Sequence, residues 1–359
     1  MNLSNVSVGM KPVDEKQFSG PPCPGCGKPT LPGKQFCYKC NSFMDPAGTR
    51  ILKPEEVTLS QVEEVIACSQ REENNYENDT TNLKAKKVAV CGAIGALISP
   101  LVMLLNLILG ILVLGVCLWA IISYPRRASR PWPAECLNPG DFEEVLSKYL
   151  APAILKNAMD QLEVYDPKQY IPYEFVDRTG LITSPYNSYG GSCYARGVYH
   201  GIPMEFSNVH LADVTEDEDG KQHRRGIFCG LWLICDLGTD LSAEVRILKG
   251  HSGQNRIETD HEEFNRRFSV FSQDRNAAFR FLTPQVMEAI LRADDYSGGH
   301  TKIFAMKDGH VCAACDTGNQ ILTFRDTKEP ISQIREKMEE EIQNLLTFAD
   351  IIGSARVNK

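Results

Sequence analysis

The chain has 359 residues, enough for two or three domains, and its formal net charge is −8 at neutral pH. That acidic balance argues against nucleic acid as a partner, because proteins that bind phosphate backbones present an excess of Lys and Arg. The 13 cysteines are odd in number and scattered along the chain. This differs from the disulfide framework of a small secreted domain and indicates a reducing compartment.

The amino-terminal segment combines a polar leader with a metal-binding pattern. Residues 1–22 contain no apolar core of a signal peptide and are predicted to be disordered. Residues 23–45 are predicted to form a zinc ribbon. Ten residues separate its two Cys-x-x-Cys pairs, which are Cys23, Cys26, Cys37 and Cys40. Four thiolates leave no open position on Zn²⁺, so we expect a structural metal; two disulfides or four free thiols are the alternatives.

A charged segment, residues 46–87, is predicted to be a linker. Within it, Ser60 followed by Glu63 matches a capping box, the pattern that begins a helix. A short helix is marginal alone and needs a partner surface. We therefore expect the zinc ribbon to fold as a separate tip that this linker ties to the rest of the chain.

An apolar window, Val88–Ser123, contains no Asp, Glu, Lys, Arg or His. One helix of this length would extend about 54 Å, whereas the hydrocarbon core of a bilayer is about 30 Å thick. Two transmembrane helices, 88–105 and 107–123, are therefore predicted, and a single span near Pro100–Ile122 is the alternative. Basic residues flank the window on both sides, which favours two crossings because such flanks prefer the cytoplasm.

Residues 134–353 are predicted to form a cytosolic α+β domain with an antiparallel sheet and flanking helices. Asp141 is predicted to cap its first helix, with Glu144 completing a capping box. Short runs rich in β-branched and aromatic residues follow and are typical of strands. The pair Gly190 and Gly191 predicts a turn between two of them. Because the strands do not alternate with helices, the pattern indicates α+β rather than a parallel sheet.

The last third of the chain predicts further helices and carries a third Cys-x-x-Cys pair. Helices are predicted over 274–293, with a break before the proline of the Leu-Thr-Pro sequence, and over Pro330–Ile352. If 311–315 is a strand, Cys312 and Cys315 point to opposite faces, so we expect free thiols there. No histidine spacing typical of a metal site and no phosphate-binding or nucleophile motif is present. We predict no catalytic and no cofactor-binding residue.

Two stretches, "RRGIFCGLWLICDL" and "EFNRRFSVFSQDRNAAFRFLTPQVMEAIL", carry a resemblance to a known family. The positions that correspond to the family pattern are Phe228, Gly230, Phe264, Phe268, Asp274, Phe279, Arg280 and Leu282–Pro284. They resemble the bacterial domain of unknown function 3137, over about residues 141–352. The resemblance implies a bacterial protein with transmembrane segments ahead of the domain, and it implies no activity. Phe279 departs from the family, in which a small residue is usual there.

The sequence as a whole predicts a membrane-anchored interaction or sensory module of unknown specificity, with a protein partner and the lipid bilayer as its partners. The predicted location is the bacterial inner membrane, multi-pass, with both termini cytoplasmic. An enzyme or transport accessory with a site in residues 141–352 is the alternative. Polar residues converging in a pocket would favour that alternative, whereas an exposed apolar patch would favour the interaction module.

Overall fold

The structure is a computed structural model, and it describes residues 15–78, 133–217, 219–238, 241–250, 256–306, 309–323 and 328–354. The chain forms two compact units. Of the described residues, 15–53, 60–78, 133–142 and 328–331 form the ribbon unit. The sheet unit is formed by 54–59 and by the described residues within 143–323 and 332–354. Each unit is discontinuous in sequence, so residues far apart in the chain pack together within it.

The ribbon unit contains a short antiparallel hairpin, β1 (Phe36–Cys37) and β2 (Ser42–Phe43), in which Phe36 pairs with Phe43. Their rings meet edge to face, with centroids 4.8 Å apart. A helix, α1, runs over residues 59–78 and belongs to the ribbon unit from Ser60 onward. Its apolar face is buried, because Val62 and Ile66 are fully removed from solvent.

The ribbon is not the separate tip that the sequence predicts. The thiol of Cys68 in α1 donates to Glu135 (2.8 Å), and Lys34 of the ribbon forms an ion pair with the same glutamate (3.4 Å). Tyr38 packs against a cluster that includes Ala134. The physical reason is that a small ribbon with several aromatic side chains exposes apolar surface, which the helix and residues 133–142 cover.

The sheet unit is built on eight antiparallel strands. They are β3 (Gln161–Asp166), β4 (Ser188–Tyr199), β5 (Ile202–Glu216), β6 (Gln222–Asp236), β7 (Val245–Lys249), β8 (Phe268–Ser272), β9 (Thr301–Ala305) and β10 (His310–Cys315). Their order across the sheet is β3-β4-β5-β6-β10-β9-β7-β8. Every neighbouring pair is antiparallel. The predicted α+β class with a large antiparallel sheet is confirmed.

Helices flank this sheet. They are α3 (Ala151–Ala158), α4 (Tyr173–Thr179), α5 (Glu262–Arg267), α6 (Arg275–Phe281), α7 (Pro284–Tyr296) and α8 (Ile331–Gly353). Another helix, α2 (Pro139–Val145), crosses the boundary between the units, and a π-helical turn over Leu146–Leu150 connects it to α3. The break predicted within 274–293 separates α6 from α7, where the Thr283 hydroxyl accepts a hydrogen bond from the Val286 amide (3.3 Å). Such a cap is local chemistry, which a sequence reveals directly.

The core lies on both faces of the sheet. On one face Trp232, Phe304 and Cys312 are buried together with Val176 of α4. Apolar side chains are buried along α8, at Ile334, Met338, Ile342, Leu345 and Phe348. Burial of large apolar side chains on this scale is the main source of stability for such a domain.

The turn predicted at Gly190 and Gly191 is not formed, since both residues lie inside β4. A Cβ atom on Gly190 would overlap the ring of His210, and one on Gly191 would overlap the carbonyl oxygen of Asn208. The ring of Tyr170 also lies against Gly191. The glycines are therefore sites of close approach within a strand rather than turn residues.

No helix within the described ranges is long and apolar enough to cross a membrane. The longest, α8, carries charged residues along its length. This contradicts the predicted localisation, a multi-pass inner-membrane protein with both termini cytoplasmic, and the lipid bilayer is not shown as a partner. The predicted spans, 88–105 and 107–123, and the alternative near Pro100–Ile122 lie outside the described residues.

Candidate functional site

The four predicted metal ligands, Cys23, Cys26, Cys37 and Cys40, lie together, with all their Sγ atoms within 4.8 Å of one another. The Sγ atoms of the first and last lie 3.7 Å apart, and those of the middle two lie 3.9 Å apart. A tetrahedral Zn²⁺ with bonds of about 2.3 Å to sulfur has edges of about 3.8 Å, so these distances suit one ion. They are too long for disulfides, whose sulfurs are about 2.0 Å apart. The cluster could therefore bind a metal.

Two tight turns present the thiols. The turn of the first pair is closed by the Gly27 amide, which donates to the Cys23 carbonyl (2.8 Å), and the second turn by the Cys40 amide, which donates to the Cys37 carbonyl (3.3 Å). The residue after each pair has a left-handed backbone, with φ of 69° at Gly27 and 51° at Asn41. Asn tolerates this region better than most residues with a Cβ, so the second turn forms without glycine.

Asn41 also joins the second turn to α2. Its Nδ2 donates to Oδ1 of Asp141 (2.8 Å), and Nδ2 of Asn138 donates to Oδ2 of the same carboxylate (2.9 Å). Asp141 lies in the first turn of α2, so it is not the N-cap that the sequence predicts. No local sequence pattern reveals this contact, because the two residues are 100 positions apart.

The environment of the four thiols is uneven. Burial raises the pKa of Cys37 and of Cys40. At Cys23 burial acts in the same direction, but backbone hydrogen bonds from Cys26 and Gly25 outweigh it and lower the pKa. Thiolates are the form that binds a metal, so a cation at the centre would stabilise the deprotonated state of the raised pair.

The third pair is not part of a metal cluster in the described residues. Cys312 is buried in the sheet core with Trp232, whereas Cys315 lies beside Ser297. Their opposite placement follows the strand alternation that the sequence predicts. Burial raises the pKa of Cys315 to about 11, so it is a neutral thiol at physiological pH.

A second feature is an aromatic patch that we term the tyrosine surface, formed by Tyr170, Tyr173, Tyr186 and Tyr189. Tyr170 and Tyr173 are 37% and 44% exposed. The ring centroid of Tyr189 lies 5.4 Å from that of Tyr170 and 5.5 Å from that of Tyr173, which lies 6.1 Å from that of Tyr186. Three edge-to-face contacts therefore connect the four rings across one surface.

Hydrogen bonds fix the partly buried members of the tyrosine surface. The hydroxyl of Tyr189 donates to the carbonyl of Ile171, and that of Tyr186 donates to Oδ1 of Asp177 (3.3 Å). Burial, aided by the charge of Asp177, raises the pKa of Tyr186 to about 12. The phenol is therefore neutral at physiological pH.

Two carboxylates of α4, Glu174 and Asp177, are exposed beside the tyrosine surface. Of the nearby cations, Arg178 forms an ion pair with Glu244 (3.1 Å), and Lys168 is exposed two residues before Tyr170. Sequence reasoning missed this surface, although a signal was present in two Tyr-x-x-Tyr repeats, at 170–173 and 186–189.

The fold and the cysteine cluster define an antiparallel α+β protein with an amino-terminal candidate metal centre. Residues 226–355, which include most of β6 and all of α8, match the model of a family described as "Protein of unknown function (DUF3137)". The resemblance to this family is therefore confirmed for that part of the chain. Phe279, the departure from the family pattern, is 41% exposed on α6, which explains how a large side chain is accommodated. The tyrosine surface lies outside the matched residues.

No curated protein matches the chain. A solved structure that is similar is the "crystal structure of the mycobacterial trehalose monomycolate transport factor A, TtfA". It shares 10% sequence identity, with a TM-score of 0.24, over 55% of this chain and 91% of that chain.

Proposed function

We propose that this protein is a non-catalytic interaction module whose tyrosine surface binds a basic segment of a protein partner, and whose four-cysteine cluster holds a structural Zn²⁺. The observation that carries the proposal is the exposure of Tyr170 and Tyr173 beside two carboxylates. Large aromatic side chains are enriched where proteins bind one another, because they offer rigid contact area at a low cost in conformational entropy.

The chemistry of the tyrosine surface favours a cationic occupant. The face of an aromatic ring attracts Lys or Arg, with about 0.5–1 kcal/mol gained at exposed sites. Glu174 and Asp177 add negative charge at the same place, and Arg178 is engaged by Glu244. A partner segment with several Arg or Lys residues would therefore gain from both the rings and the carboxylates.

The proposed metal has a structural role. Cysteine thiolates favour Zn²⁺ over Mg²⁺ or Ca²⁺, which prefer oxygen ligands. Four protein ligands leave no position for water or substrate, so such a centre does not activate either. The metal would hold the two turns that carry the cysteines together, since the hairpin of β1 and β2 has only two residues in each strand.

The proposal is tested by fluorescence anisotropy with a labelled peptide that alternates Arg and Gly over nine residues. A Glu-Gly peptide of the same length is the control. We expect binding of the Arg peptide alone, and about two- to fivefold weaker binding by Tyr170→Ala and by Tyr173→Ala, the equivalent of about 0.5–1 kcal/mol for each ring. Tyr173→Phe should retain binding because the ring remains. Phe279→Ala removes another exposed aromatic ring and should leave binding unchanged.

These substitutions do not change the net charge, so they separate the rings from general attraction to an acidic protein. Equal binding of the Glu-Gly peptide, or unaltered affinity in both alanine variants, would show that the tyrosine surface is not the binding site.

A further inference from the structure

A cavity of about 430 Å³ lies in the sheet unit, within the part of the chain that matches the family. Its walls come from the end of α7, the segment that follows β10, and one face of α8. The residues that matter for its chemistry are Tyr296, Gln320, Glu341, Asn344, Leu345 and Phe348. The volume falls in the range of about 300–1,000 Å³ that is usual for small-molecule sites.

The segment after β10 is held rigidly. Asn208, which is fully buried in β5, accepts a hydrogen bond from the Ile321 amide (2.9 Å) and donates to the carbonyl of the same residue (2.8 Å). At the start of the segment, Gly230 of β6 lies so close to the Cys315 carbonyl that any Cβ would overlap it. The close approach explains why glycine occupies this position of the family pattern.

One strained backbone position, Leu322, adjoins the cavity through its neighbour Ile321 and its contact with Glu341. Leu322 is buried and has a φ of 58°, a left-handed conformation that residues with a Cβ rarely adopt. Its amide donates to Oε2 of Glu341 at 2.7 Å, which holds the conformation in place. Strained backbone conformations of this kind are enriched at ligand-binding sites, where the surrounding structure holds them in place.

The cavity contains one acidic side chain and no basic one among its described lining residues. The acidic side chain is that of Glu341. Burial raises the pKa of Glu341, although the hydrogen bond from Leu322 opposes that shift. A cation beside the carboxylate would stabilise its ionised form.

The remaining walls of the cavity are suited to the apolar part of a small ligand. Tyr296 donates from its hydroxyl to Oδ1 of Asn344 (2.7 Å), which fixes the ring at the rim. Leu345 and Phe348 supply apolar surface on α8. An aromatic ring near a cation adds to its binding.

We propose that this cavity binds a small organic cation, with a protonated amine at Glu341 and an apolar body against Phe348 and Tyr296. The site is independent of the tyrosine surface, so the two proposals stand or fall separately. No chemical change of the ligand is involved.

Isothermal titration calorimetry on the full chain tests this proposal with probes of matched shape. Phenethylamine and 1,4-diaminobutane are the cations; 2-phenylethanol and phenylacetate are the neutral and anionic counterparts of the former. We expect the amines to bind at least tenfold more tightly than the alcohol, and phenylacetate to show no binding. Glu341→Gln keeps an acceptor for the Leu322 amide and should remove the preference for the amine.

Two further variants guard against a folding artefact. Tyr296→Ala alters a side chain that is 44% exposed, so the fold should persist while amine affinity falls several-fold. Glu288→Gln removes a carboxylate of α7 that pairs with His261 (3.1 Å) outside the cavity, and it should bind as the wild type does. The proposal is overturned if neither amine binds, if phenylacetate or 2-phenylethanol binds as tightly as phenethylamine, or if Glu341→Gln and Tyr296→Ala both retain wild-type affinity for the amine.

Discussion

Asn41 combines two properties at the second turn of the candidate metal centre. Its backbone adopts the left-handed region, and its side chain donates to Asp141. Glycine would supply the first property without the second, and a β-branched residue would supply neither. Asn41 therefore both shapes the turn that carries two of the thiols and attaches that turn to α2.

The first prediction concerns this residue. Asn41→Val should weaken metal binding by the equivalent of about 1–3 kcal/mol, because a β-branched side chain is strained at positive φ. Asn41→Gly loses a hydrogen bond worth about 1 kcal/mol but relieves the backbone, so its effect should be smaller. Competition with a chromophoric chelator measures both affinities. Equal affinity of the valine variant and the wild type would contradict the structural role assigned to this turn.

Among the elements, α1 differs most from its sequence-based expectation. The pattern at Ser60 and Glu63 predicts a short helix within a linker, whereas α1 extends to residue 78. Its length depends on packing partners that are distant in sequence, such as the contact between Ser69 and the Leu137 amide (2.8 Å). Local patterns reveal where a helix begins, but tertiary contacts decide how far a marginal helix continues.

A substitution in α1 tests whether this packing stabilises the ribbon unit. Ile66 is fully buried, so Ile66→Ala should cost about 2–5 kcal/mol through lost burial and the cavity it leaves. Hydrogen exchange followed by mass spectrometry should then show faster exchange at 23–45 as well as in α1. The matched control is Glu64→Ala, which alters the same helix at a residue that is not buried. Unchanged protection at 23–45 in the Ile66 variant would restore the view of the ribbon as a separate tip.

Local features such as helix caps could be predicted from the sequence, whereas contacts between distant residues could not. Thr283 and Pro284 mark a helix start by their own chemistry, and α7 begins there. The sequence around Gly190 and Gly191 does not predict that the side chains of His210 and Tyr170 lie over them, because those residues are distant in the chain. The spacing of the four cysteines is enough to predict their cluster. The tyrosine surface forms only because the fold brings the two Tyr-x-x-Tyr repeats together.

For the whole molecule, we propose two separate sources of order, a metal at the four-cysteine cluster and the core of the sheet unit. In the ribbon unit, residues 15–53 pack with α1 and residues 133–142. The sheet unit contains all eight strands of the large sheet. A small ribbon buries little apolar surface to offset its ordering entropy, so the proposed metal would contribute folding free energy.

Removal of the metal is therefore expected to loosen the ribbon unit. Cys37→Ser should lose the Zn²⁺ measured by inductively coupled plasma mass spectrometry and should raise amide exchange over 23–45. Cys229→Ser, which changes a free thiol of β6, should retain one Zn²⁺ per chain. Purified wild-type protein that carries no zinc under reducing conditions would contradict the assignment of the metal.

The central claim, that the tyrosine surface binds a basic segment of a protein partner, is tested most directly by photo-crosslinking in cells. A benzophenone side chain is introduced at position 173 or, as a control, at position 279, and the crosslinked peptides are sequenced by mass spectrometry. The account predicts adducts at position 173 with a peptide rich in Arg or Lys, and none of that peptide at position 279. Failure to crosslink at 173, or the same peptide at both positions, would contradict it.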